Sequence, residues 1–249
     1  MRARRWAVAA LWLPLAAAAA DVRVLAAGAP KPLVAAVAPG FERDTGHRVF
    51  VDTDTAGALT RRILAGAPFD LVIVTSAGAA SLAKEGKLAD GPPVPLARVG
   101  IGVAVKAGAR HPDIGDVPAL RRALREARAV AMIDPAAGGS SGIYLARLFD
   151  ELGIADEVKR KAVLVPGGLA AQKLVSGEAD IALQQMSELR LVPGASVVGP
   201  IPTPVQSWTE YVGAVSASAR DRAASAALLA ALKRAAVAER LKDMGMELP

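Results

Sequence analysis

The chain predicts an α/β fold of two lobes with a hinged cleft between them. Three observations carry that expectation. Strand-like and helix-like segments alternate along the chain, two proline-rich stretches stand where connections between lobes would fall, and small-residue loops recur where strands run into helices.

Short Val/Ile-rich runs suit strands at Val22–Ala26, Arg48–Asp52, Asp70–Thr75, Val99–Val105, Val130–Ile133, Ala162–Val165, Ile181–Gln184 and Tyr211–Ser216. Ala/Leu-rich segments at helical spacing lie between them, near 31–44, 57–65, 78–85, 117–127, 142–152, 155–160, 169–176 and 221–244. Alternation of this kind implies parallel sheets covered by helices on both faces. Pro39-Gly40 falls inside the first helix and is expected to kink or split it, because proline removes a backbone donor.

The stiff connectors are Gly91–Leu96, with Pro92, Pro93 and Pro95, and Val192–Pro204, with Pro193, Pro200, Pro202 and Pro204. If both cross between lobes, residues 21–96 and 200–249 form one lobe and residues 97–199 the other. A double crossing is a natural hinge for closure around a ligand.

The loops are Ala27-Gly28-Ala29-Pro30, Thr53-Asp54-Thr55-Ala56-Gly57-Ala58, Gly138-Gly139-Ser140-Ser141-Gly142 and Pro166-Gly167-Gly168. In an open α/β sheet ligands bind outside the carboxyl ends of the strands. Small side chains let backbone N–H groups approach a ligand, and each helix start leaves donors unpaired under a partial positive charge. That makes an anion site without a charged side chain. Each terminus contributes roughly 0.3–2 kcal/mol. Micromolar binding needs about 8 kcal/mol, so direct hydrogen bonds in a closed cleft must supply the remainder.

Residues 1–20 have the parts of a secretory signal peptide: Arg2, Arg4 and Arg5, an apolar run from Trp6 to Ala18, and Ala18-Ala19-Ala20 before Asp21. The run is short of the ~20 residues a spanning helix needs, so cleavage and export to the periplasm are expected. Three of the six net positive charges belong to those arginines, and the remaining cations are interspersed with acids, which argues against a nucleic-acid groove. The absence of cysteine removes disulfides and thiolate sites, so the core alone must hold the fold.

Gly138-x-Ser140-x-Gly142 formally matches a hydrolase nucleophile elbow, but both histidines, His47 and His111, lie upstream of the serine. Those histidines sit beside Gly46 and Pro112, in turns expected to be exposed, and no zinc-like ligand set forms. Neither a phosphate-binding P-loop nor a dinucleotide fingerprint is present, so no cofactor and no metal are expected.

From Val24 to about Leu248 the chain resembles the periplasmic molybdate-binding proteins, the substrate-binding components of bacterial ABC importers. The similar strings include Leu25-Ala26-Ala27, Phe41-Glu42, Thr45-Gly46, Gly57-Ala58-Leu59, Ala65-Gly66-Ala67-Pro68-Phe69-Asp70-Leu71, Asp134-Pro135, Ser141-Gly142-Ile143-Tyr144 and Leu174-Val175-x-Gly177-Glu178-Ala179-Asp180. The resemblance implies the type II periplasmic binding protein fold, a small anion as ligand and an inner-membrane ABC permease as partner; the sequence gives no sign of oligomerisation, so a monomer is expected. In that family hydroxyls and backbone amides at helix starts hold the ligand. Carried onto this chain, the family's ligand-binding positions fall on Ala29, Thr55, Ala56, Gly57, Ser141 and Gln185, and the small-residue loops add Gly28, Ser140 and Gly168 as candidates. The chain departs from the pattern where Ala29 stands for a serine, where only Thr55 among Thr55-Ala56-Gly57 offers a hydroxyl, and where Gln185 takes the place of a cleft tyrosine.

A second set of strings, Asp134-Pro135-Ala136-Ala137-Gly138-Gly139, Leu164-Val165-Pro166-Gly167-Gly168 and Gln185-Met186-Ser187-Glu188, is similar to a divergent branch that includes bacterial aconitate isomerase. That resemblance implies a small polycarboxylate and a proton shift along an allylic system. Such a shift needs a base near the carbon acid and donors for the developing charge. Glu188 and Asp54 are the carboxylates best placed at cleft loops, and Arg61, Arg62 and Arg98 are the candidates for a carboxylate clamp. Capture of an anion for import and isomerisation of a tricarboxylate both remain open at this point.

Overall fold

The structure is a computed structural model that describes residues 19–249; the signal-peptide expectation for residues 1–18 lies outside the described residues. Strands are β1 (Asp21–Ala27), β2 (Arg48–Asp54), β3 (Leu71–Thr75), β4 (Val94–Lys106), β5 (Val130–Ile133), β6 (Ala162–Val165), β7 (Ile181–Gln185), β8 (Ala195–Pro200) and β9 (Trp208–Val215). Helices are α1 (Lys31–Thr45), α2 (Ala56–Leu64), α3 (Ser76–Lys84), α4 (Val117–Glu126), α5 (Ser140–Glu151), α6 (Ala155–Lys161), α7 (Gln172–Val175), α8 (Met186–Leu189), α9 (Arg222–Ala235) and α10 (Ala238–Asp243). No helix among them is long and apolar enough to cross a membrane.

The strands follow the order β2-β1-β3-β9-β4-β7-β5-β6, with β8 paired to β4. β1 lies parallel to β2 and β3, and β5 parallel to β6 and β7. The expected all-parallel sheets are corrected at the centre, where β9 and β4 run antiparallel to their neighbours. β4 joins the lobes: Val94–Gly100 pairs with β9, and Ile101–Lys106 pairs with β7 and β8. The chain therefore passes from one half of the sheet to the other inside a single long strand.

Each half of the sheet is covered on both faces, as near-continuous apolar strands require. In the first half Leu33, Phe41, Ile73, Leu96 and Leu228 pack on one face and Leu59, Ile63, Phe69 and Leu82 on the other. The second half buries Ile101, Leu120, Leu145, Leu148 and Phe149 on one side and Ile133, Leu174 and Leu189 on the other. Fully burying one such side chain is worth about 1.5–3 kcal/mol.

Three local expectations change. α1 runs unbroken through Pro39, because Pro39 and Ala35, whose carbonyl loses its donor, both lie on the wet face of the helix. The proline-rich stretch after Val192 contains β8, an edge strand in which Pro200 costs no interior hydrogen bond. The long C-terminal helix is two, broken where Val237 adopts an extended conformation. Of the histidines, His111 is exposed; His47 is half-buried, stacks on Phe41 and accepts a hydrogen bond from the Ala20 N–H at 3.0 Å.

Candidate functional site

The carboxyl ends of β1, β2, β5, β6 and β7 converge on one cavity of about 130 Å³ between the two halves of the sheet. Of the residues expected at a ligand site, Gly28, Ala29, Thr55, Ala56, Ser140, Ser141 and Gly168 line it together. Gly57 and Gln185 do not.

Each loop is fixed by local chemistry. Thr55 caps α2 by accepting from the Ala58 N–H at 3.1 Å, as an N-cap threonine does. Its hydroxyl proton is donated to the Ala137 carbonyl at 2.6 Å, so that proton faces the opposite lobe and not the cavity. The Gly57 N–H likewise donates across the cleft, to the Gly138 carbonyl at 3.0 Å, and Arg61 donates to the Ala137 carbonyl at 3.2 Å. A Cβ at Gly57 would stand 2.7 Å from that Gly138 oxygen, so only glycine allows the approach. These contacts hold the lobes closed.

Gly139 begins α5 without a side-chain cap, so the first amides of the helix, from Ser140 and Ser141, are left without intrahelical acceptors. The Gly168 turn has a left-handed φ of 83° and is clamped by the buried Gln184, which accepts from the Ala170 N–H and donates to the Gly168 carbonyl. On the facing side the Ser187 hydroxyl donates to the Ala29 carbonyl at 2.9 Å and holds α8 against the β1–α1 loop.

Both carboxylates expected at cleft loops, Glu188 and Asp54, line the cavity. They differ sharply. Asp54 accepts from the Thr55 N–H at 2.8 Å and lies 3.5 Å from Arg62, partly in solvent. Glu188 is 9% exposed and its oxygen packs on the backbone of Gly28, where even a Cβ would collide with it. Burial pushes its carboxyl up to about 8, although the neighbouring Gln184 amide favours the charged form. Tyr211, from β9, also lines the cavity. Burial first, and the charge of Glu188 second, push its phenol above the ordinary tyrosine range. Its oxygen is 3.2 Å from the Ser140 hydroxyl.

Gln185 is 1% exposed but points away from the cavity, because Val99, Gly100, Thr209 and Ser140 saturate its amide. The cleft has a tyrosine after all, supplied by a different strand. Arg62 pairs with Asp52 and Asp54, Arg98 pairs with Glu247 and stacks on Trp208, and Arg61 bridges to Ala137; none lines the cavity. The cation that does is Lys31, the first residue of α1. Sequence reasoning missed Lys31 and Tyr211. The available signals were that Lys31 follows the Gly28-Ala29-Pro30 loop directly and that Tyr211 is one of only two tyrosines. Among the described residues, no group of His, Cys, Asp and Glu is arranged to hold a metal ion.

The sequence profile of bacterial extracellular solute-binding proteins matches residues 22–247. The chain belongs to that family. Against other members and neighbours, this solute-binding protein is 32% identical over 230 residues to an aconitate isomerase from a Pseudomonas species, an alignment spanning 90% of this chain and 86% of that one. Its fold is similar to the periplasmic molybdate-binding protein of Azotobacter vinelandii (TM-score 0.73, 20% identity, 92% of this chain and 99% of that one). It is also similar to the sulfate-binding protein of Mycobacterium tuberculosis (TM-score 0.71, 22% identity, 91% and 86%). At those identities the structural likeness speaks for the fold: two α/β lobes with a cleft, as in periplasmic binding proteins.

Proposed function

We propose that this solute-binding protein takes a small polycarboxylate into its cleft and shifts a proton along it, as an aconitate isomerase does. The observation that carries the reading is Glu188: a buried carboxyl lining the cavity, with burial pushing it up to about 8. A site that only holds an anion does not need a group that gains and loses a proton near neutral pH, whereas an acid–base catalyst works best with a pKa near the ambient pH.

In this reading the ionised Glu188 removes a proton from the carbon next to one carboxylate. The C–H electron pair moves into the conjugated system, the double bond shifts, and the proton returns two carbons along. Atoms and charge balance, and Glu188 ends as it began. Charge developing on the ligand carboxylates falls on the α5 amides, which are in place before the reaction. Lys31 supplies the one cationic contact. The identity to the aconitate isomerase supports the same substrate class.

Capture of an anion for an ABC permease is the second reading, favoured by the helix-start amides and by the family itself. The purified protein separates the two readings. Incubated with cis- or trans-aconitate and followed by proton NMR, it should interconvert them, and aconitate should raise its melting temperature where molybdate and sulfate do not. An oxyanion-specific shift without interconversion would establish capture instead.

A further inference from the structure

Gln185 is buried at the meeting point of the two lobes, and its neighbours fix which way round its amide lies. On one side are two carbonyls, Val99 at 3.0 Å and Gly100 at 3.2 Å; on the other are two hydroxyls, Ser140 and Thr209, each at 3.0 Å. Carbonyls only accept, so the amide nitrogen must face them and the amide oxygen must face the hydroxyls. Both hydroxyls then donate to that oxygen. A serine has one proton to give, so with it engaged on Gln185 the Ser140 oxygen can only accept from Tyr211, 3.2 Å away.

We propose that Gln185 is a positioning residue for the cleft: by taking the Ser140 proton it forces Tyr211 to donate to Ser140 and to present only lone pairs to the cavity. The geometry stands by itself; its consequence rests on the proton-shift reading above. Tyr211 is then an acceptor and not an acid. It can hold the protonated form of Glu188 or of a ligand carboxyl, and Glu188 is left as the one proton carrier. Gln185 also bonds the Val99 and Gly100 carbonyls, where β4 passes from pairing with β9 to pairing with β7, so Tyr211 is oriented from the strand that joins the lobes.

The chain has two tyrosines, Tyr144 and Tyr211, so tyrosine labelled at Cζ with carbon-13 gives two assignable resonances in the full-length protein. Gln185→Met keeps the length of the side chain and removes the acceptor. Its Tyr211 resonance should move while that of Tyr144, bonded to the Val205 carbonyl, stays. Turnover of aconitate should fall roughly 10- to 100-fold in kcat with KM nearly unchanged, the pattern of a lost transition-state interaction. Gln185→Glu, studied at pH 5 where the new carboxyl is protonated, still donates to a carbonyl and accepts from Ser140, so resonance and relative turnover should return. An unmoved Tyr211 resonance in the Met variant, or an equal displacement in both variants, would overturn the proposal. Should the Met variant fail to fold, the Glu variant decides alone: a parent-like resonance supports the proposal and a displaced one overturns it. A parent protein that leaves aconitate unchanged would remove the proposed reaction, yet the resonances would still report the direction of the hydrogen bond.

Discussion

Two buried carboxyl groups, Asp70 in the first lobe and Glu188 in the second, show how the surroundings set the charge state of the same chemical group. Asp70, 2% exposed, precedes β3 at the end of the sheet away from the cleft. Its burial would raise its pKa, but the guanidinium of Arg220 at 3.0 Å, the Arg23 N–H at 2.8 Å and the Arg220 N–H at 2.9 Å outweigh that, and the group sits below the ordinary carboxylate range. Glu188 is buried to a similar degree with only the Gln184 amide favouring its charged form, so desolvation prevails and its pKa rises to about 8. Burial alone therefore says nothing about the role of an acid. The donors around it decide, and a buried carboxyl left without a cation in a cleft is the one available for proton transfer.

The largest effect that would break this contrast is on turnover. Glu188→Gln should cost about 10²–10⁴-fold in the rate of aconitate interconversion, while Asp70→Asn should leave kcat nearly unchanged. Stability should respond in the opposite order. Asp70→Ala leaves two backbone N–H groups unpaired and should cost about 1–3 kcal/mol, read from the urea midpoint. Glu188→Gln should raise the melting temperature at pH 8, because it removes an acid that is costly to ionise where it lies.

The pH dependences carry opposite signs. Glu188 has a folded pKa above its unfolded value of about 4.5, so its contribution to stability is complete below that value and is lost as the pH rises towards about 8. Asp70 is depressed, so its contribution is complete above the ordinary aspartate value and is lost as the pH falls through its folded pKa. Equilibrium unfolding from pH 3 to 9, with each variant compared to the parent, reads both slopes.

Smaller effects test how much of the site is frame. Gly57→Ala places a methyl 2.7 Å from the Gly138 oxygen and should hold the lobes apart, at about 1–3 kcal/mol of aconitate affinity by calorimetry. Lys31 is exposed, and Lys31→Met should weaken binding by only about 0.2–1 kcal/mol, with a loss that fades at high salt.

Much of this was legible before any coordinates. The strand runs and the loops after β1, β2, β5 and β6 follow from apolar patterning and small residues, and these fix Gly28, Ala29, Thr55, Ala56, Ser140, Ser141 and Gly168 around one cavity. Glu188 and Asp54 were legible because each lies within a few residues of a strand's carboxyl end. What stayed hidden depended on long-range pairing. Tyr211 enters from β9, whose antiparallel insertion between β3 and β4 has no local signal, and Gln185 turns away because four partners from three other segments claim it. The hydroxyl of Thr55 was equally unreadable, since its acceptor lies 82 residues away in the other lobe.

The central claim is that Glu188 moves a proton on a bound polycarboxylate. The rate of cis-to-trans aconitate interconversion from pH 5 to 9, for the parent and for Glu188→Gln, tests it most directly. The parent should gain kcat/KM with rising pH and level off above a midpoint near about 8, and the variant should lose the activity at every pH. A variant as active as the parent, or a parent without activity that binds aconitate unchanged, would contradict the claim.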